Sequence, residues 1–434
     1  MLSIFDSKWA RTCKGVSGRE FIRIGSSGLG LSGLTLPNDL PRKDRANPNL
    51  PSVQTSVVMV RYVCITFLIC IYLLSVCSPT LAGKKTAKLD PRNAWHGRDK
   101  ILPKHYVCYQ PTKSLRIDGK LNDVSWQAVP WTEDFVDIEG DRKPKPRFRT
   151  RVKMLWDETY FYIAAELQEP HVWGTLTKHD SIIYHDNDFE VFLDPDGDNH
   201  NYLEYEINAL GTGFDLFLPK PYKDGGRAEI PWNIDGLKKA VHIQHTLNNP
   251  NDIDKKWTVE LAFPWRALGC KAKVTIPPKN GQQWRVNFSR VQWKHKIVDG
   301  KYRKVKGSPE DNWVWSPQYA INMHRPETWG YVQFSTSENG KAKFEFDPTE
   351  SARFVLYRIL YAQHAYRKEH KRWAAKLTDL DLGVFKIPPH VGALRLIVKG
   401  DRFTVTTKMH LPNRKRLCLT LHQDSRLELS HTGN

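Results

Sequence analysis

At 434 residues, with 40% hydrophobic and 26% charged side chains, the chain has an ordinary globular composition and room for two or three domains. That balance excludes a fibrous or wholly disordered protein. Two quantities stand out: a net charge of +18 and 15 tryptophans, several-fold more than a chain of this size ordinarily carries. Each indole needs burial or a flat ligand, and its N–H needs a partner.

Residues 1–58 have no sustained periodicity. A Gly/Ser patch from Gly25 to Gly33 is followed by a Pro/Asn/Arg stretch, so this leader reads as disordered. Met59-Val60-Arg61 then gives a basic start, Tyr62 to Val76 is apolar with few breaks, and Thr80 and Ala82 stand where a signal peptidase reads small residues. Residues 59–83 therefore read as a secretory signal, which makes Met59 a candidate start of translation. A signal anchor that stays in the membrane is the alternative, although the apolar run is short for a span. Four of the seven cysteines (Cys13, Cys64, Cys70, Cys77) fall in these segments; Cys108, Cys270 and Cys418 remain. Cys108 and Cys270 could pair in an oxidising compartment, but three cysteines make no disulfide framework and no spacing suggests zinc.

Residues 84–105 are rich in Lys, Arg and Pro and read as a linker. From 106 to 337 short alternating stretches are separated by turn residues: Arg151 to Trp156, Tyr160 to Leu167, Asp188 to Leu193, Tyr202 to Ala209, Trp257 to Phe263, and Trp284 to Ser289. Period-two alternation with Gly, Pro, Asp and Asn punctuation predicts half-buried antiparallel strands, and many of them without helices between predict a β-sandwich. The fold class read here is all-β, an antiparallel β-sandwich with a small C-terminal α+β appendage. The appendage, 338–434, starts with a helix predicted from Glu350 to Leu377, capped by Thr349, and continues in short strands such as Leu394 to Val398 and Phe403 to Thr406. Residues 341–434 hold 18 Lys and Arg against 9 Asp and Glu, half of the surplus charge.

Seven stretches together resemble a known family. Leu115-Arg116-Ile117-Asp118-Gly119-Lys120-Leu121-Asn122-Asp123-Val124-Ser125-Trp126 is similar to the opening of family 9 carbohydrate-binding modules, and Leu155 to Tyr162 to their strand–turn–strand. Asp188 to Asp194, Glu206 to Thr212, Trp257 to Gly269 and Gly281 to Arg290 follow in the family's order. Trp315-Ser316-Pro317 with His324 to Gly330 resembles its closing motif. The resemblance implies a sandwich that binds sugars by clamping a terminal ring between two tryptophans, with structural calcium.

A sugar ring has one face of C–H groups and a rim of hydroxyls, so its site wants an open aromatic face beside polar side chains. Trp173, in the loop Glu169 to Gly174, paired with Trp315 or Trp313 in the segment before the closing motif, is the expected carbohydrate clamp; core packing is the alternative for each. Trp126, Trp156, Trp257 and Trp284 lie in strand or turn motifs and read as core. The carboxylates Asp194, Asp196 and Asp198, in a tight turn, are the candidate calcium ligands, with a plain Asp-rich hairpin as the alternative. Asp186, Asp188 and Glu190 nearby add to the metal reading, because crowded like charges are costly without a cation. Asn287-Phe288-Ser289 is a glycosylation sequon inside a predicted strand.

The basic runs Lys143 to Arg147 and Arg414-Lys415-Arg416 suit solvated faces or contacts to acidic glycans, and export argues against nucleic acid. No G-x-S-x-G, HExxH or phosphate loop appears, no carboxylate pair stands out as a glycosidase acid and nucleophile, and His171, His179 and His185 read as loop residues. The expected function is a secreted, non-catalytic, glycan-binding protein. An extracellular structural or adhesive sandwich without ligand, and a glycan-processing enzyme, are the alternatives.

Overall fold

The computed structural model describes residues 103–269, 274–383, 387–411 and 416–431. The leader, the signal segment, residues 84–102 of the linker and Cys270, the proposed partner of the buried Cys108, lie outside them.

The alternating stretches form strands. The larger sheet joins β1 (His105–Cys108), β2 (Val136–Asp137), β5 (Asp188–Asp194), β6 (Tyr202–Asn208), β7 (Gly213–Leu218), β10 (Gln283–Gln292), β13 (Asp311–Val314) and β14 (Gly330–Phe334). The smaller sheet runs β3-β4-β9-β8, from β3 (Thr150–Trp156), β4 (Tyr160–Gln168), β8 (Lys238–Gln244) and β9 (Lys256–Pro264). A hairpin of β11 (His295–Val298) and β12 (Lys301–Lys304) stands apart. Pairing within the two sheets is antiparallel except between β1 and β14, which run parallel.

The two sheets close on one core. Met154 and Trp156 of β3, Phe161 and Ile163 of β4, and Leu261 and Phe263 of β9 meet Phe189 and Val191 of β5, Tyr205 of β6 and Trp284 and Phe288 of β10. The opposite faces are covered too. The segment before β3 folds over the smaller sheet, where Trp126, Leu115 and Ile117 pack on Tyr162, Ala164 and Ala262. This explains the opening motif. Glu260, buried among apolar side chains, accepts from Trp126 Nε1 at 2.7 Å and from the N–H groups of Asp118 at 2.9 Å and Gly119 at 2.6 Å. Burial raises its pKa, and these three donors work against that rise. Gly119 has φ 83°, and a Cβ there would lie 2.7 Å from the His242 nitrogen, so only glycine lets the segment lie this close to β8. Over the larger sheet, Ile138, Ile183, Met323 and Trp329 cover Phe192, Tyr202, Phe214 and Leu216.

Beyond the sandwich, α1 (Glu350–His370) packs on a second antiparallel sheet of β15 (Arg395–Lys399), β16 (Arg402–His410), β17 (Arg416–His422) and β18 (Leu427–His431). The helix stops seven residues short of the predicted Leu377, at Lys371 in the left-handed conformation, φ 58°. Thr349 takes the N-cap position as expected, but its side chain makes no capping bond: the hydroxyl donates to Asp347 at 2.7 Å and accepts from Arg353 Nε at 2.9 Å. The appendage is fastened to the sandwich through the turn after β5. Asn199 donates to the Tyr357 hydroxyl at 2.6 Å and the Ser425 carbonyl at 2.8 Å, Arg353 donates to the Gly197 carbonyl at 2.7 Å, and Arg285 pairs with Glu350 at 2.7 Å. Asn199→Ala is expected to cost about 1–3 kcal/mol by stranding buried partners, and to speed hydrogen exchange in α1 and β18 more than in β4 and β9, measured by denaturant melts and exchange mass spectrometry.

Candidate functional site

The three tryptophans expected to clamp a sugar are interior side chains. Trp173 is 3% exposed, lies against Tyr302 with ring centroids 6.3 Å apart, and is covered by the β11–β12 hairpin through Tyr302 and His295. Trp313, also 3% exposed, sits on β13 with Phe148 at its edge and the guanidinium groups of Arg147 and Arg290 over its ring at 5.0 and 5.2 Å. Trp315 is fully buried against Phe288 and so tightly below Gly330 that a Cβ there would lie 2.5 Å from its ring. None offers an open face. The loop position that suggested exposure is overridden by a hairpin and a cross-strand arginine that seal those rings.

The indoles that keep partial exposure on the sandwich are Trp131, Trp232 and Trp293. Trp131 lines an open groove of about 350 Å³ together with His105, Tyr106, Thr132, Glu133 and Phe344. His105 stacks on Phe344 at 4.3 Å, while Arg151 and Lys153 lie 4.3 and 4.7 Å from the Trp131 centroid. Burial works against the charge on Glu133, but a backbone N–H and Lys104, 3.2 Å away, hold its carboxyl below the usual range. The groove thus has aromatic walls and an ionised acceptor at its rim. Trp315 stands behind it, its indole N–H 3.3 Å from Glu133. Trp131 immediately follows Pro130 in a polar stretch with no alternation, a signal the sequence does carry but one that does not separate it from fourteen other tryptophans.

The candidate calcium turn brings Asp194, Asp196 and Asp198 together with ligand oxygens within 4.8 Å. Asp194 already accepts from the Gly197 and Asn199 N–H groups at 3.0 and 2.9 Å, and Asp198 from that of His200 at 2.7 Å. Burial, and then the neighbouring Asp196, push Asp198 up to about 7. Asp186 is spent differently, holding Thr175, Leu176 and Asn208.

A second acidic group lies on the covered face of the larger sheet. Asp188, Glu190 and Glu206 have oxygens within 4.8 Å of one another, all buried. Burial, then neighbouring carboxylates, lifts Asp188 and Glu206 well above the carboxylate range, and burial pushes Glu190 up to about 7. Glu204 beside them is raised in the same way, and its Oε2 lies 3.9 Å from His324 Nε2. Burial holds that imidazole down at about 3, so it stays neutral.

The remaining candidates are quickly placed. The Asn287 side chain is buried and donates to the Ser316 carbonyl at 2.8 Å, which leaves no free amide for a glycan in the folded chain. His171 contacts the Tyr302 hydroxyl at 3.1 Å; His179 meets the Gly213 carbonyl at 2.9 Å and Asn233 at 3.1 Å; His185 meets the Tyr184 ring edge to face. In the Lys143 to Arg147 run, Lys143 pairs with Glu139 at 3.0 Å and Arg147 with Asp311. Arg414 and Lys415 lie outside the described residues. No described helix is long and apolar enough to cross a membrane.

The chain is thus a two-sheet β-sandwich with an open aromatic groove at one edge. The chain belongs to the family described as carbohydrate family 9 binding domain-like, whose model matches residues 117–334. It is 26% identical over 144 residues to endo-1,4-beta-xylanase C of Paenibacillus barcinonensis, a match that covers 32% of this chain and 12% of that enzyme. Solved structures similar to it include a family 9 carbohydrate-binding module of Caldicellulosiruptor kristjanssonii, in complex with cellotriose (15% identity, TM-score 0.35, 56% of this chain and all of that one) and with glucose (16%, 0.35, 55% and all).

His324 of the closing motif gives a pH prediction. Its folded pKa lies below the unfolded value, so its contribution is present at neutral pH and lost as pH falls below about 6.5. Wild type is expected to lose roughly 2–3 kcal/mol through this group by pH 4.5, and His324→Gln to lose measurably less in urea melts at pH 7.0, 5.5 and 4.5.

Proposed function

We propose that the protein is a secreted, non-catalytic carbohydrate-binding protein whose sugar ligand seats in the Trp131 groove. Membership of the family 9 binding domain-like group carries this reading. The groove supports it by size and chemistry: its volume falls within the range of small-ligand sites, its walls present aromatic rings to the C–H face of a pyranose, and Glu133 and Thr132 can accept from hydroxyls at the rim. A contact this small predicts micromolar-to-millimolar affinity. Residues 59–83, read as a cleaved signal, support export to where glycans are met. In the turn after β5, Asp194, Asp196 and Asp198 are proposed as a structural calcium site that would stiffen the seat of the appendage.

The surplus of 9 positive charges in residues 341–434 favours a second reading in which acidic glycans bind the appendage through charge. The two are separable by salt, because exposed charge pairs are screened and stacking is not.

Affinity electrophoresis through neutral glucan or xylan tests the first reading. Retardation is expected for wild type, a loss of at least five-fold in apparent affinity for Trp131→Ala, and little change for Trp173→Ala, which instead lowers the melting temperature. Unaltered retardation of Trp131→Ala would move the site elsewhere. No retardation of wild type by any neutral polysaccharide, with salt-sensitive retention on a sulfated one, would leave only the acidic-glycan reading.

A further inference from the structure

One end of the larger sheet holds a histidine whose own hydrogen bond fixes how it meets its neighbours. β7 closes the strand order at the end opposite β1, and Asp215 of β7 shares the core face with Tyr205, directly across from it on β6. The turn at 178–181 is pinned beside this strand. The Gly213 carbonyl accepts from His179 Nδ1 at 2.9 Å and from the Asp180 N–H at 3.1 Å. A ring nitrogen facing a carbonyl oxygen carries the proton, so Nδ1 is the N–H and Nε2 keeps its lone pair.

That lone pair faces three oxygens. Nε2 lies 3.1 Å from Asn233 Oδ1, 3.3 Å from Asp180 Oδ1 and 3.4 Å from Asp215 Oδ1. The Asn233 amide is held in this orientation, because its Nδ2 donates to the Pro231 carbonyl at 3.2 Å. Asp215 is only 4% exposed. Its Oδ2 accepts from the Ile234 N–H at 2.7 Å, whereas its Oδ1, aimed at His179, is buried without a hydrogen-bond partner. Asp180 Oδ1 is buried and unpartnered in the same way. Lys239 acts on both carboxylates from a distance but forms no ion pair with either among the described residues. Four lone-pair atoms thus converge, and a neutral imidazole puts no proton between them.

We infer that His179 Nε2, Asp180 Oδ1, Asp215 Oδ1 and Asn233 Oδ1 form a site for a divalent transition metal at the β7 end of the larger sheet, and that zinc is the ion it takes. Tetrahedral zinc, with bonds of about 2.0–2.2 Å, sets its ligand atoms roughly 3.3–3.6 Å apart, close to the spacings found around Nε2. An imidazole nitrogen in the set selects zinc-like ions over calcium and magnesium, which take oxygen alone. The bond from Nδ1–H to the Gly213 carbonyl is the outer-shell contact that orients a metal-bound histidine. Half of the His179 side chain and the Asn233 side chain are open to water, which gives the ion a way in. A metal there ties the turn at 178–181, β7 and the segment carrying Asn233 together. β1, which lines the Trp131 groove, is at the other end of the strand order, so the site does not rest on the sugar reading.

Calorimetric titration of zinc into the full-length protein, freed of metal with chelator, provides the test. Wild type is expected to bind zinc saturably in the presence of excess calcium, to melt at a higher temperature with zinc than without, and to give the visible absorption of four-coordinate cobalt when cobalt(II) replaces zinc. His179→Gln and Asp215→Asn are each expected to weaken zinc binding at least about ten-fold, the loss that even an outer-shell change produces. Asp215→Asn keeps the acceptor for Ile234 and removes the stranded charge, so its metal-free melting temperature is expected to stay at or above that of wild type, which separates lost binding from misfolding. Asn233→Ala is expected to weaken binding less, and His242→Gln, at an exposed histidine of β8, to leave it unchanged. No saturable zinc binding would overturn the assignment and leave a second proton on His179 as what answers the three oxygens. Zinc binding that His179→Gln and Asp215→Asn both leave intact would overturn it equally, by placing the metal elsewhere.

Discussion

Both outer faces of this sandwich are covered, and most of what is unusual about the molecule follows from that. A two-sheet fold ordinarily buries one set of alternating side chains and shows the other to water. Here the segment ending in Trp126 lies over the smaller sheet, and the loops carrying Ile138, Ile183, Met323 and Trp329 lie over the larger one. Polar side chains that alternation would send into solvent are driven under cover instead. Each must then find a partner inside the protein, because an unpaired buried charge costs far more than a buried methylene contributes.

The arrangement of charge is the response to that constraint. Arg290 crosses under Trp313 to reach Glu169, Glu260 collects the backbone of the opening motif, and Arg285 reaches Glu350 from the sandwich into the appendage. These pairs are directional, so they set the register in which cover and sheet meet as well as lowering the cost of burial. The Asp194 to Asn199 turn belongs to the same system. It supplies carbonyls and an amide to α1 and to the loop before β18, so the appendage is bonded to the sandwich rather than tethered by a linker.

Covering both faces also narrows where a ligand can be met. Trp173, Trp313 and Trp315 are sealed, while an aromatic groove stays open at one edge, where β1 passes Trp131 and Phe344 comes back from beyond β14. A groove at the rim of the sandwich holds its rings in place without exposing the core.

By itself, the sequence determined the layered all-β plan, the helix after residue 349 and the family, because period-two alternation, turn residues and a glycine at 119 are local properties that each segment carries alone. The core roles of Trp126, Trp156, Trp257 and Trp284 were legible for the same reason. Only the tertiary structure decided that Trp173, Trp313 and Trp315 are sealed, that Trp131 is open, and that Asp188, Glu190 and Glu206 converge with Ser289. Exposure and convergence are set by segments far apart in the chain: Tyr302 over Trp173, and Ser289 of β10 opposite Glu190 of β5. No local pattern encodes which loop will fold over which strand, since that choice is made by long-range pairing and paid for across the whole chain.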